Sequence, residues 1–175
     1  MTTVEPAQAV HIVLMGVSGS GKAALAEELV RRTGFTGATA EELQPADVRV
    51  KMADGRFVSP DDRDWLTDQA RQGHSTVVVS LGLGRRARDI FREAEGFVFF
   101  VHVEGTHDVI RERIRQQTGR VPDGDGEEVL RRQYAELERL RADEPGIRVD
   151  ATRGPGVLAE AALAALSVAR RAGVD

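Results

Sequence analysis

The run Gly16-Val17-Ser18-Gly19-Ser20-Gly21-Lys22-Ala23 restricts what this chain can fold into more than any other stretch. It follows the apolar residues His11 to Met15 and precedes a helical pattern through Leu25, Ala26 and Leu29. Strand, glycine-rich turn and helix is the context in which successive backbone N–H groups curl around phosphate oxygens. The dipole at the helix start adds to the attraction. Gly16, Ser18, Gly19, Ser20, Gly21, Lys22 and Ala23 are therefore the expected nucleotide contacts, with Lys22 reaching the outer phosphates. The bland alternative is a glycine-rich turn with no ligand. One position departs from the pattern: Ala23 stands where a Ser or Thr hydroxyl would hold Mg²⁺.

The rest of the chain bounds the classes of function. With 175 residues it suffices for one well-packed domain and is short for two. A net charge of −4 and a pI near 5.6 argue against a nucleic-acid binder or a membrane-surface binder. No apolar run approaches membrane-spanning length, and residues 1–8 lack the basic start and apolar core of a signal peptide. Cysteine is absent, which excludes disulfides and thiolate metal sites and suits a cytoplasmic protein. His11, His74, His102 and His107 fall in no metal-ligand spacing and are expected at strand ends or caps. Of the 24 basic residues only Lys22 and Lys51 are lysines.

Apolar patterning predicts strands over 11–15, 35–38, 76–81, 97–103 and 147–149. Helices are expected after the glycine turn to residue 32, from Ser59-Pro60-Asp61-Asp62 to about 73, and over 85–93, 108–117, 127–140 and 157–168. Thr39 to Glu42 reads as a capping box. The helix over 127–140 is expected to bury Val129, Leu130, Tyr134, Leu137 and Leu140 as one stripe. Trp65 is expected in the core. Strand and helix alternate, so the fold class is α/β, a parallel sheet with helices on both faces. Ligands of such sheets lie beyond the C-terminal strand ends, where the glycine turn falls.

Three stretches resemble the gluconate kinases among the P-loop small-molecule kinases. They are Leu14 to Lys22; Pro45 through Lys51-Met52-Ala53-Asp54-Gly55 to Asp61-Asp62-Arg63 and Trp65-Leu66; and Gln133-Tyr134, Leu137-Glu138, Asp143-Glu144-Pro145-Gly146 and Val149-Asp150. The resemblance implies a nucleoside-kinase-like three-layer sandwich, a single domain over 1–175 with a small lid around 108–126. It implies ATP and Mg²⁺ as cofactors, with metal binding weakened by Ala23. It implies transfer of the γ-phosphoryl group to a hydroxyl of a small carbohydrate-like acceptor. Lys22, Arg113 and Arg120 would act on the phosphates and Glu41 would stand in for an acid, while Lys51, Arg63 and Arg85 would hold the acceptor.

Departures from the family pattern open a second reading. The family's acids after strand two become Thr39-Ala40-Glu41, its histidine becomes Gln44, and a lysine before Arg85 becomes Gly84. In the lid an arginine becomes Gln117, and Arg120 is the available substitute. Thr39 cannot serve as a general base, because its proton is held too tightly. The alternative is a catalytically impaired, nucleotide-binding pseudokinase with a regulatory or partner-binding role. Self-association into a homodimer is left open.

Overall fold

The computed structural model describes residues 7–39, 58–81 and 84–173. Five strands form one sheet: β1 (Val10–Met15), β2 (Thr36–Thr39), β3 (Thr76–Val79), β4 (Phe97–Glu104) and β5 (Gly146–Asp150). All pairings are parallel, in the order β2-β3-β1-β4-β5. The helices are α1 (Lys22–Thr33), α2 (Pro60–Arg71), α3 (Arg85–Arg92), α4 (His107–Thr118), α5 (Gly124–Glu136) and α6 (Pro155–Ala172). The chain fills one side of β1 and then crosses to the other. Beyond the C-terminal end of β1 the strand order reverses, which opens the crevice where such sheets take ligands.

Strand β1 is buried at every residue, as a central parallel strand covered on both faces must be. Alternate residues feed two cores. Ile12 and Leu14 pack with Leu25 and Leu29 of α1, Phe99 and Val101 of β4, and Ala159 of α6. Val13 packs on the opposite face with Leu66 of α2, Phe91 of α3 and Phe100 of β4. Trp65 is half-buried against this second core. Among the described residues no helix is long and apolar enough to cross a membrane.

Local signals explain the helix starts. Ser59 caps α2 by accepting from Asp61 N–H, Asp62 returns the bond to Ser59 N–H, and Pro60 fills the first turn. Thr106 caps α4 by accepting from Val109 N–H. The capping-box reading of 39–42 lies outside the described residues from position 40 onward.

Helix α5 departs most from expectation. It begins at Gly124 rather than 127, because the N–H groups of Gly126 and Glu127 close on the carbonyl of Asp123. It stops at Glu136 because Leu137 turns to extended backbone, φ −69° and ψ 115°, and beyond it Arg88 donates to Glu138 O at 3.0 Å and to Arg139 O at 3.4 Å. Its inward stripe is shifted too. Leu130 and Gln133 are buried with Tyr134 and Leu137 beside them, whereas Val129 is 44% exposed.

Candidate functional site

The glycine turn connects β1 to α1 at the strand-order reversal, and its geometry requires glycine. Gly16 has φ 147°, and a Cβ there would lie 2.7 Å from the carbonyl oxygen of Val103. Gly21, the residue before α1, has φ 100°, a conformation that side chains disfavour. No side chain caps α1. Its first N–H groups lack intrahelical partners, as at any helix start, so they present partial positive charge to the crevice. Ser20 Oγ is buried and, among the described residues, has no hydrogen-bond partner. Unfilled donors and an orphaned hydroxyl in one loop suit a polyanionic ligand.

Lys22 opens α1 yet is only 8% exposed. Its ammonium folds back into the turn, donating to Gly16 O at 2.7 Å and Val17 O at 2.9 Å. Burial pushes its pKa down to about 8, so it remains mostly protonated at neutral pH. The cation therefore sits inside the cradle. Ala23, one residue on, is exposed on the first turn of α1.

Two helices hold the turn from above. Arg113 of α4 donates to Gly19 O at 3.4 Å and to Ala151 O at 2.7 Å, bridging the β1–α1 and β5–α6 loops. Gln133 of α5 grips Ser18 with both ends of its amide: the carbonyl accepts Ser18 N–H at 2.7 Å, and the amide nitrogen donates to Ser18 Oγ at 2.9 Å. Gln133 is not among the site residues expected from the sequence. The signal was present, since Leu130, Gln133, Tyr134 and Leu137 follow the i, i+3, i+4, i+7 spacing of a buried face.

Other expected site residues lie elsewhere or are engaged. Arg85 pairs with both carboxylate oxygens of Asp143, one at 2.8 Å, and Arg63 bonds Asp64 at 2.9 Å and Glu93 at 3.0 Å. Arg120 is exposed in the turn after α4. Glu41 and Lys51 lie outside the described residues. Thr39 is the last residue of β2, at the C-terminal edge of the sheet.

A cavity of about 1060 Å³ adjoins the glycine turn at the ends of β4 and β5, lined in part by Val17, His102, Glu104, Tyr134, Arg148 and Asp150. His102 corrects the expectation that each histidine marks a strand end or cap. It lies inside β4, 1% exposed, with Nδ1 3.4 Å from Glu104 Oε1. Burial lowers its pKa to about 4, helped by the charges of Arg88, Arg148, Arg139 and Lys22, so the ring is neutral. Among the described residues no group of three or more His, Asp or Glu side chains is placed to hold a metal.

No family model matches the chain. Individual proteins do. It is 31% identical to the gluconokinase of Gluconobacter oxydans over 157 residues, 85% of this chain and 86% of that one. It is 33% identical to the thermoresistant gluconokinase of Escherichia coli over 148 residues, 79% and 83% of the two chains. Its structure superposes on that of a sugar kinase from Janibacter with a TM-score of 0.77 at 33% identity, covering 91% of this chain and 95% of the other. Identity at this level over most of both sequences, on one shared parallel-sheet fold, means that the chain belongs to the gluconokinase family.

Proposed function

We propose that the chain is an ATP-dependent kinase that moves the γ-phosphoryl group of ATP to a hydroxyl of a small, carbohydrate-like acceptor. The observation that carries this reading is the uncapped, glycine-built start of α1 with Lys22 buried in it, in a chain 31% identical to a gluconokinase. The loop N–H groups and Lys22 would hold the outer phosphates, and Lys22 would exchange the carbonyls of Gly16 and Val17 for phosphate oxygens. Arg113 is near enough to the loop to bear on nucleotide. Arg120 and the α4–α5 turn would act as a lid. Arg63 and Arg85 would reach an acceptor only by giving up their carboxylate partners. Lys51 and Glu41 are proposed for the acceptor side on the family resemblance alone.

Mg²⁺ would neutralise charge between the β- and γ-phosphates when bound with ATP. Ala23 offers it no oxygen, so water would take that place, which Mg²⁺ tolerates because it keeps several waters. The exposure of Ala23 leaves room for a hydroxyl.

A second reading, a nucleotide-binding pseudokinase, is favoured by Ala23 together with Thr39, which ends β2 without a carboxylate. A coupled assay with ATP, Mg²⁺ and a panel of sugar acids tests the choice, run on the wild type and on Ala23→Ser. The kinase reading expects turnover with one acceptor, raised severalfold by Ala23→Ser. Silence from both proteins, with ATP still bound, would leave the second reading standing.

A further inference from the structure

We propose that Gln133 is a positioning residue for the phosphate loop: it holds Ser18 in place, and so sets the loop's shape before nucleotide arrives. The inference rests on the nucleotide-binding reading above. Gln133 is 8% exposed, on the face of α5 where apolar side chains would serve packing equally well. A buried amide is costly unless both of its ends are bonded. Here one residue meets both ends, 115 positions away in sequence, with bonds of 2.7 and 2.9 Å. A backbone N–H can only donate, so the amide oxygen must face it and the amide nitrogen must face the hydroxyl.

Two bonds from one planar group fix both the backbone and the side chain of Ser18. The residue lies between glycines at positions 16 and 19, whose φ values of 147° and 79° mark a backbone with many alternatives when unconstrained. Ordering such a loop at the moment of binding would reduce affinity; ordering it beforehand avoids that cost. Helix α5 is itself anchored nearby, because Tyr134 Oη donates to Gly105 O at 2.7 Å. The helix thus braces the loops after β1 and after β4 together. Ser18 N–H is consumed by Gln133, which leaves phosphate to Gly19, Gly21 and the first turn of α1. Gln133 therefore acts through Ser18 and not on the ligand.

The test is ATP binding by titration calorimetry, at a temperature well below the melting transition of every variant. Gln133→Met keeps the volume and loses both bonds; its dissociation constant should rise about tenfold, as the loss of two ordinary hydrogen bonds implies. Ser18→Ala, an exposed position, loses one bond and should weaken ATP about threefold. Added to Gln133→Met, it should cost almost nothing more, because the partner is already gone. A Gln133→Met protein that melts lower but binds ATP normally would overturn the proposal, as would additive effects of the two changes. Should Gln133→Met not fold, unchanged ATP affinity in Ser18→Ala would overturn it equally. A wild type that binds no nucleotide removes this inference and the functional reading together; normal wild-type binding with a silent Gln133→Met removes this inference alone.

Discussion

Arg88 and Glu144 meet where solvent does not reach. Both side chains are 0% exposed, with Arg88 Nε 2.6 Å and Nη2 3.0 Å from the two carboxylate oxygens. Glu144 also accepts the N–H of Arg141 at 2.9 Å, so the pair pins the segment between α5 and β5 beneath α3. Burial pushes the Glu144 carboxyl up, but the Arg88 bonds, the Arg141 N–H and the neighbouring guanidinium charges outweigh it and hold the group below its usual range.

Glu144→Gln is expected to leave the Arg88 cation facing a neutral amide in the interior. Breaking one side of a buried pair costs about 3–5 kcal/mol. In a chain of this length that lowers the melting temperature by about 10 °C. Thermal denaturation by circular dichroism checks it, and a change within about 2 °C would contradict the assignment.

His102 makes stability sensitive to acid. Its folded pKa is about 4 against 6.5 for a free ring. As pH falls below 6.5 the unfolded chain takes up a proton that the folded chain refuses until near 4. The contribution is therefore whole above 6.5 and declines across that window. His11, whose pKa burial also lowers, adds to the slope. Melting temperatures from pH 7 to 4.5 should fall less steeply for His102→Leu than for the wild type. Parallel curves would contradict this.

Lys22 predicts the opposite limb. Phosphate prefers the charged ammonium, and in the free protein that charge is lost above a pKa of about 8. Affinity for ATP should be nearly level from pH 7 to 8 and then weaken, approaching about tenfold per pH unit while the bound form stays protonated. Titrations at pH 7 to 9.5 measure this, and a level profile to pH 9.5 would contradict it.

The glycine turn and the α/β order were legible because their signals are local. Glycine spacing, Ser59-Pro60 and the Thr106 cap each act within one turn of chain. What the sequence hid is pairing across distance. Arg85 reads as a free cation until Asp143, 58 residues on, is placed against it. The segment after α5 is held by Arg88, about 50 residues earlier, through the carbonyls of Glu138 and Arg139, which no helix propensity records. Gln133 follows the spacing of a buried face, but only the position of Ser18 gives an amide a reason to stand there. His102 alternates with Phe100 on β4, but it is 1% exposed in a strand flanked by β1 and β5, a placement that its own segment does not record.

The most direct measurement is the melting temperature of the wild type and of Lys22→Ala with and without ATP and Mg²⁺. A ligand that binds only the folded state must raise that temperature, by an amount set by its concentration relative to its dissociation constant. A rise of several degrees in the wild type that vanishes in Lys22→Ala is the expected result. No rise with ATP or any other nucleotide would contradict the central claim, that the start of α1 is built to hold phosphate.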